Sequence, residues 1–424
     1  MMRRFVSVGL AAVMAASLTA CGGSKTETPA TEAKTETSAA KEAKTEAEKK
    51  EADTTEAAKA EGETAAATGE GGVFKIGGIG PITGDAAIYG LAVKNAAELA
   101  VKEINENGGI NGMTVSFDFQ DDESDTEKSV NAYNKLKDDG MQVLMGTVTT
   151  NPCIAVAAET KNDNMFQLTP SGSAVECIQN DNAFRICFSD PNQGIASAQY
   201  IGENKLATKV AVIYDSSSVY SSGIYAKFNE EAANQGIEVV SAEAFTADSK
   251  TDFTVQLQKA KDAGAELVFL PIYYSEAALI LTQANTMGYA PIFFGCDGLD
   301  GILTVDNFDT ALAEGVMLLT PFAADAQDEA TQNFVNAYKE AYGEIPNQFA
   351  ADSYDAIYTI KAAAEKGGVT ADMSVSDICE AIKAAMTEIT VDGLTGEGIT
   401  WSADGEPSKA PKAVKIVDGA YTAQ

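Results

Sequence analysis

A regular alternation of short apolar runs and longer amphipathic segments constrains the fold of this chain more than any other feature of its sequence. A first series runs from "VFKIGGI" at Val73 to "MFQLTP", and a second runs from "KVAVIYD" to "PIFFGC" at Cys296. Strands that alternate with helices of several turns form right-handed βαβ units, whose parallel sheets are covered by helices on both faces. The two series predict an α/β fold with two doubly wound parallel-sheet lobes.

The chain after the second series has a different pattern. Residues 327–390 are predicted to form three consecutive helices, and the tail that follows has the Gly and Asp turns of β-structure. A segment too short for a lobe of its own should return to cover the first two. We expect 73–190 and 321–392 to form the N-terminal lobe. The C-terminal lobe should comprise 191–320 and 393–424, with a hinged ligand cleft between the lobes.

The first residues are typical of an export signal. Arg3 and Arg4 precede an apolar run over 5–18, which is too short to span a bilayer stably. The run ends in "LTAC", which resembles the bacterial lipobox, where Cys21 would receive a diacylglyceryl group. The alternative is an ordinary signal peptide with an incidental cysteine. We predict that 1–20 is a lipoprotein signal peptide.

Residues 21–72 are predicted to be the lipidated Cys21 followed by a disordered tether. Residues 24–72 contain no Val, Ile, Leu, Met or aromatic residue, so they cannot bury enough apolar surface to offset the entropy of ordering. An isolated Ala/Thr/Glu/Lys run can also be partly helical, and it would still act as a tether. The protein is then expected on the extracytoplasmic face of the cell membrane, in contact with it only through the lipid.

Charge and composition exclude several classes of function. A net charge of −32 would repel nucleic acid and anionic lipid. The absence of histidine removes Ser-His-Asp catalysis and imidazole metal sites, and no GxSxG motif occurs. We expect no enzyme activity, no cofactor and no metal. One disulfide is possible, with its pairing open, among five cysteines: Cys153, Cys177, Cys187, Cys296 and Cys379.

The glycine-rich stretch "KIGGIGPITG" could suggest a dinucleotide-binding loop. Its third glycine, Gly84, comes one position late for that motif, and Pro81 removes an amide that a phosphate would use. The acids at the end of the second strand, Asp121 and Asp122, also come about twice as far along the chain as a ribose-binding acid should. We predict that this loop forms part of the rim of a cleft.

Hydroxyl residues follow two successive strands of the first series. Thr149 and Thr150 lie in "GTVTTNP", and Ser171 and Ser173 lie in "TPSGSA". Hydroxyls beside unpaired helix amides can bind a carboxylate without arginine. Simple helix N-capping is the alternative for any one of them. Their recurrence at two strand ends favours a binding site.

The second series offers complementary groups in Tyr220, Tyr273 and Asp297. A strand-end aspartate can pair with an ammonium group, although "DG" is also a common turn. Tyr89 and Phe349 could enclose a ligand side chain or belong to the core. The acidic run "QDDESDTE" lacks the spacing of a calcium loop, and we expect it to supply a helix cap.

The order of these motifs resembles the leucine/isoleucine/valine-binding proteins, the type I periplasmic-binding family that serves ABC transporters. The resemblance rests on a continuous stretch from "IGGIGPITGDAAIYG" to "DFQDDESD" and on "VLMGTVTTNP", "LTPSGSA", "FRICFSD", "YDSSSVYSSG" and "FFGCDGLDG". It implies two lobes joined by three crossovers that close on an amino acid, and a permease complex as the partner of a monomer. A sensor protein as partner is the alternative.

The resemblance also implies roles for individual residues. Thr149 or Thr150, together with Ser173, would hold the α-carboxylate. The Ser171 carbonyl, Asp297 and Tyr273 would take the α-ammonium group, and the ligand side chain would be bordered by Tyr89, Tyr220 and Phe349. The resemblance favours a branched-chain or aliphatic amino acid. Polar amino acids, small amides and aromatic acids, which other proteins of this fold bind, stay open.

Overall fold

The computed structural model describes residues 71–424. The predictions for the signal peptide over 1–20, for Cys21 and for the tether up to residue 70 lie outside the described residues. Within 71–424, no helix combines the length and apolar character needed to cross a bilayer.

The first lobe is built on a five-stranded sheet with the strand order β2-β1-β3-β4-β5, and all of its pairs are parallel. Its strands are β1 (Val73–Gly80), β2 (Thr114–Asp121), β3 (Val143–Gly146), β4 (Gln167–Thr169) and β5 (Ala183–Arg185). The connecting helices are α1 (Ala87–Glu106), α2 (Thr126–Asp138) and α3 (Thr150–Asp163).

The second lobe is built on a seven-stranded sheet with the order β14-β13-β10-β9-β8-β6-β7. Its strands are β6 (Lys209–Asp215), β7 (Glu238–Phe245), β8 (Leu267–Leu270), β9 (Ile292–Gly295), β10 (Met317–Thr320), β13 (Lys412–Val417) and β14 (Ala420–Ala423). Its helices are α4 (Asp190–Glu203), α5 (Val219–Ala232), α6 (Thr254–Asp262) and α7 (Tyr274–Thr286). The strand β13 pairs antiparallel with both β10 and β14 at one edge, whereas the other pairs are parallel. The prediction of two doubly wound lobes is confirmed.

The three helices predicted in the last third of the chain are present as α8 (Glu329–Tyr342), α9 (Gln348–Lys366) and α10 (Val375–Met386). They return to the first lobe. Ser353 Oγ donates to the Val93 carbonyl of α1 at 2.7 Å, and the Tyr342 hydroxyl donates to the Asn95 carbonyl at 2.8 Å. Up to this point the chain crosses between the lobes twice, once before α4 and once before α8.

A short hairpin of β11 (Val391–Gly393) and β12 (Gly396–Ile399) precedes the third crossing. The Leu394 amide donates to Asp355 of α9 at 2.8 Å, and Trp401 Nε1 donates to the Arg185 carbonyl of β5 at 2.8 Å. Both partners belong to the first lobe. We infer that the third crossing follows Trp401, later than the boundary at 393 that the sequence suggests.

Local sequence explains why these elements form. The strands β3 and β8 are short apolar runs whose residues are all buried, as expected for the interior of a parallel sheet. The predicted inner face of α1 is confirmed, because Val93, Ala96 and Ile104 are buried. That helix ends just before Gly108, which has a φ of +97° that favours glycine. The acidic run supplies the expected cap, since Asp125 accepts from the Glu127 and Lys128 amides.

All five cysteines after Cys21 are buried and unpaired in the structure. Cys153 and Cys177 lie side by side beneath the start of α3, in one small apolar cluster with Ala174 and Ile178. Residues 71–424 contain no group of three or more acids or cysteines that could hold a metal ion.

Candidate ligand-binding site

Eight of the nine residues predicted for the site line one small cavity between the lobes. They are Tyr89, Thr149, Thr150, Ser171, Tyr220, Tyr273, Asp297 and Phe349, joined by Val148 and Gly298. The side chains leave about 10 Å³, which is close to the least space that one water molecule needs. A wider opening of about 360 Å³ adjoins it, and Asp85, Lys250 and Glu276 lie on its wall. The lobes are therefore closed over the site.

The glycine loop at the end of β1 packs tightly. A Cβ added at Gly80 would lie 2.4 Å from Val148 Cγ2, so glycine is needed for β1 to approach the next strand end. The Ile82 amide and the Thr83 hydroxyl donate to the Asp121 carboxylate at 2.9 and 2.6 Å. Because both groups donate to Asp121 at the end of β2, they are not arranged to bind a phosphate.

On the first lobe, the N-terminus of α3 faces the cavity. Thr149 is the N-cap residue, but its hydroxyl makes no capping hydrogen bond and instead lies 2.8 Å from Ser124 Oγ. Thr150 begins the helix, and both threonines are buried. Because the first amides of a helix have no intrahelical acceptor, they can bind a carboxylate at this point. Simple capping by the Thr149 hydroxyl is excluded here.

The second hydroxyl loop contributes Ser171 and Ser173 unequally. Ser171 lines the cavity, and its hydroxyl donates to the Val148 carbonyl at 2.6 Å. Ser173 lies just outside the cavity and is also buried. Its Oγ meets no hydrogen-bond partner in acceptable geometry within 71–424, although it is close enough to Asp190 to lower the pKa of that carboxyl group. The Ser173 hydroxyl is thus not committed to a hydrogen bond within 71–424.

On the second lobe, Asp297 begins a short 3-10 helix directly after β9. Tyr220 donates to Asp297 Oδ1 at 2.6 Å, and burial raises the pKa of the carboxyl group to about 7 while this hydrogen bond lowers it. No lysine or arginine within 71–424 forms an ion pair with Asp297. A buried carboxyl group without a cationic partner is costly, and a ligand ammonium group would satisfy it.

Aromatic rings from both lobes form the walls. Tyr89 of α1 lies 4.2 Å from Phe349 of α9 and 5.3 Å from Tyr273, between ring centroids. Tyr220 and Tyr273 of the second lobe are 5.1 Å apart. The Tyr89 hydroxyl donates to the Gly298 carbonyl at 2.5 Å, so this ring joins the two lobes directly. The aromatic walls of this cavity can pack against an aliphatic side chain of a ligand.

Two glutamines hold Asp297 and were missed from the sequence. The Asp297 amide donates to Gln193 Oε1 at 3.2 Å, and Gln348 Nε2 donates to the Asp297 carbonyl at 2.8 Å. Gln193 lies in α4 after the first crossing and Gln348 begins α9 after the second, so neither stands at the end of a strand. The glycine of the "DG" pair is also needed for packing, because a Cβ added at Gly298 would lie 2.7 Å from the Tyr220 hydroxyl.

The comparisons with known proteins agree with this architecture. A sequence profile of the family described as periplasmic binding protein matches residues 73–420. The Leu/Ile/Val-binding protein homolog 3 of Brucella melitensis is 32% identical over 301 residues, which is 70% of this chain and 80% of the relative. The branched-chain amino acid transporter substrate binding protein LivJ of Streptococcus pneumoniae, solved with isoleucine, is similar with a TM-score of 0.75. It is 27% identical, and the match covers 83% of this chain and 98% of that one.

A more distant structure shares the fold. A solute binding protein of an ABC transporter from R. palustris, in complex with benzoate, matches with a TM-score of 0.74. It is 20% identical, with coverage of 83% of this chain and 95% of that one. Because the profile spans nearly all of the described residues and the Brucella relative is covered over most of its length, family membership is clear. The chain belongs to the periplasmic binding protein family, among the leucine/isoleucine/valine-binding proteins of ABC transporters.

Proposed function

We propose that this protein is an extracytoplasmic substrate-binding lipoprotein of an ABC importer and that it binds a branched-chain or other aliphatic amino acid by lobe closure. One observation carries the proposal. An α3 N-terminus that the Thr149 hydroxyl does not cap faces, across one cavity, the buried Asp297 carboxyl group that lacks a cation within 71–424. The two halves are complementary to the carboxylate and ammonium groups of an α-amino acid.

In this proposal each half of the site binds one charge of the ligand. The α3 amides, the hydroxyl of Thr149 or Thr150, and Ser173 hold the carboxylate. Asp297, the Ser171 carbonyl and Tyr273 hold the ammonium group. The aliphatic side chain lies among Tyr89, Tyr220 and Phe349. Because residues of both lobes enclose the cavity, the ligand enters an open form and its contacts with both lobes favour closure.

The remaining parts of the proposal concern delivery. Cys21 carries the lipid, residues 22–72 tether the monomeric binding unit to the extracytoplasmic face of the membrane, and the closed form docks on the permease. The ligand leaves chemically unchanged, so the protein is not an enzyme. Replacing Cys21 by alanine should release the protein into the medium, while uptake of the amino acid by intact cells should fall.

The ligand class is tested by comparing three compounds on the chain from Gly22 onward: leucine, 4-methyl-2-oxopentanoate and benzoate. The oxo acid keeps the carboxylate and the side chain of leucine but lacks the ammonium group. Leucine at about a hundred times its dissociation constant should add about 2.7 kcal/mol to the free energy of unfolding, seen as a raised Tm. The oxo acid should bind at least about tenfold more weakly, because Asp297 would stay unpaired.

If the ligand were an aromatic acid, this experiment would give a different order of Tm shifts. Benzoate would use the aromatic walls and the α3 amides but would leave Asp297 without a cation. If benzoate raised the Tm and leucine did not, the fold assignment would stand and the amino-acid proposal would be wrong.

A further inference from the structure

A second cavity of about 460 Å³ lies between the lobes and shares none of its lining residues in 71–424 with the ligand-binding cavity or its opening. On one side it is bounded by α1, α8 and residues 344–347 of the first lobe. On the other side it is bounded by residues 300–304, β10 and the β13–β14 pair of the second lobe. It is therefore a separate groove between the same two bodies.

Apolar side chains form most of the walls. Leu318 and Val414 of the second lobe and Phe322, which follows β10, are buried there, and Val335 of α8 lies opposite. At the rim, Leu91 is 43% exposed and Ile345 is 63% exposed, although large apolar side chains of this protein are otherwise mostly buried. An apolar rim on an apolar groove of this size has the features of a small-molecule site.

A buried acid, Asp300, stands in the wall of this groove. Its residue is 4% exposed, and its Oδ2 accepts from the Gln348 amide at 2.8 Å, which caps the first turn of α9. Its Oδ1 has no hydrogen-bond partner within 71–424. The Tyr421 hydroxyl, which accepts from the Gly301 amide, is near enough to lower the pKa of Asp300, but it does not meet Oδ1 in acceptable hydrogen-bond geometry.

The capping role accounts for one oxygen of Asp300 and leaves the other without a function. Burial raises the pKa of this carboxyl group to about 6, so it is ionised at neutral pH, and no lysine or arginine of 71–424 forms an ion pair with it. Asp325 and Glu344 add negative charge at the rim, against the single positive charge of Lys339. The groove thus combines apolar walls with a buried, unmatched negative charge.

We propose that this groove binds an organic ammonium ion with an apolar body, whose charge meets Asp300 Oδ1 and whose body packs against Leu318 and Phe322. An alkylamine has this chemistry, whereas a fatty acid would place its carboxylate against Asp300. Such a ligand touches both lobes away from the amino-acid site. Its binding is therefore compatible with an occupied cleft.

The test uses three six-carbon probes that differ in their head group: hexylamine, 1-hexanol and hexanoate. Isoleucine methyl groups are labelled in the chain from Gly22 onward, and leucine is kept saturating so that amines cannot enter the cleft. Hexylamine should shift the methyl signals of Ile88 and Ile345, which line the groove, and should leave Ile272 in the opening of the cleft unchanged. Hexanol should bind at least tenfold more weakly, and hexanoate should cause no shift.

Asp300→Asn provides the matched variant, because it keeps the shape and removes the charge. It should weaken hexylamine binding at least tenfold, whereas Asp306→Asn on the same loop, an exposed position outside the groove, should not change it. Equal binding of the three probes would reduce the groove to an apolar surface and overturn the proposal. The absence of hexylamine shifts at Ile88 and Ile345 in the unaltered protein would overturn it as well, whether or not the variant folds.

Discussion

Two regions of the protein that bury acidic side chains treat their charges in opposite ways. One region, the Lys409 network, consists of Asp352, Asp355, Thr395 and Lys409. Lys409 Nζ lies 2.9 Å from Asp352 Oδ1 and donates to Thr395 Oγ1 at 2.5 Å, and both charged side chains are almost fully buried. Asp355 accepts from the Leu394 amide and from the amide and hydroxyl of Thr395. The network is satisfied within the chain.

The cleft leaves its acids incomplete. Asp297 has a tyrosine hydroxyl but no cation within 71–424, and neither carboxyl oxygen of nearby Asp190 meets a partner in hydrogen-bond geometry. Burial raises the pKa of both groups, well above the usual value for Asp190. We call the Lys409 network closed, because its charges are satisfied within 71–424, and the site around Asp297 open, because its acids lack the cation that a ligand would supply.

Removing the cation of the closed network should have the largest effect. Lys409→Met leaves Asp352 and Asp355 buried without a positive charge, and loss of one partner of a buried pair costs about 3–5 kcal/mol. Urea unfolding should show this loss in the free energy of unfolding. Lys412→Met, at an exposed position of β13, is the matched control and should change it by less than about 0.5 kcal/mol. Equal, small losses for both variants would contradict the distinction between the two regions.

Removing the charge of Asp297 in the open site should weaken ligand binding strongly without lowering the stability of the fold. Asp297→Asn should weaken leucine binding by about 2–5 kcal/mol, or roughly 30-fold to several thousandfold, because the ligand ammonium group loses its partner. The free energy of unfolding should stay level or rise, since a buried carboxyl group without a cation is removed. Calorimetric titration and urea unfolding measure the two quantities. Near-normal affinity would refute the ammonium role of Asp297.

The open site should also respond to pH. Burial holds the pKa of Asp297 at about 7, far above its value in the unfolded chain, and only the ionised form attracts an ammonium group. Leucine affinity should therefore rise about tenfold between pH 6 and pH 8. Without ligand, this group binds more protons in the folded state, so its contribution to stability should fall as pH rises from about 4 to 7.

The Asp297→Asn variant is the control for the pH experiment. It cannot ionise at this position, so its leucine affinity, measured by the same calorimetric titration, should vary little over that interval. A pH profile that is equally steep in the variant would assign the titration to another group, such as Asp190.

The sequence predicted the architecture because the decisive signals are local. Continuous apolar runs such as β3 and β8 report burial on both sides of a parallel strand, and the spacing of Val93 and Ile104 reports the inner face of α1. Thr149 and Asp297 were predicted to share a site because ligands of such folds lie at the carboxyl ends of the parallel strands, and both lobes were expected to direct these ends towards one cleft. Their closeness in the structure follows from that rule, and their proposed roles are still predictions.

Other features depend on packing that no local pattern encodes. Gln193 and Gln348 hold Asp297 only because the two crossings bring α4 and α9 to the same strand end. We infer that the third crossing follows Trp401, because the Trp401 indole donates to the Arg185 carbonyl, more than two hundred positions earlier. Asp300 looks like part of a turn in "DGLDG", and its second oxygen can be seen to lack a partner only once α9 and Tyr421 are placed around it.

An exposed ion pair between the lobes gives a third case beside the closed network and the open site, because water already solvates its charges. Lys250 of the second lobe lies 2.7 Å from Asp85 of the first at the opening of the cleft, with side chains 32% and 71% exposed, and it also lies 3.3 Å from Glu276. Exposed pairs contribute about 0–1 kcal/mol. Asp85→Asn should weaken leucine binding by less than about fivefold, through a less stable closed form, and the difference should vanish in 1 M salt.

Lys128→Gln is a matched control, since Lys128 forms a similar exposed pair with Glu123 that does not join the lobes. It should leave leucine affinity unchanged at either salt concentration. A loss in Asp85→Asn as large as that in Asp297→Asn would mean that closure is held mainly at the opening of the cleft. The unmatched charge of Asp297 would then be the lesser determinant of affinity, and the contrast between the closed network and the open site would no longer explain ligand binding.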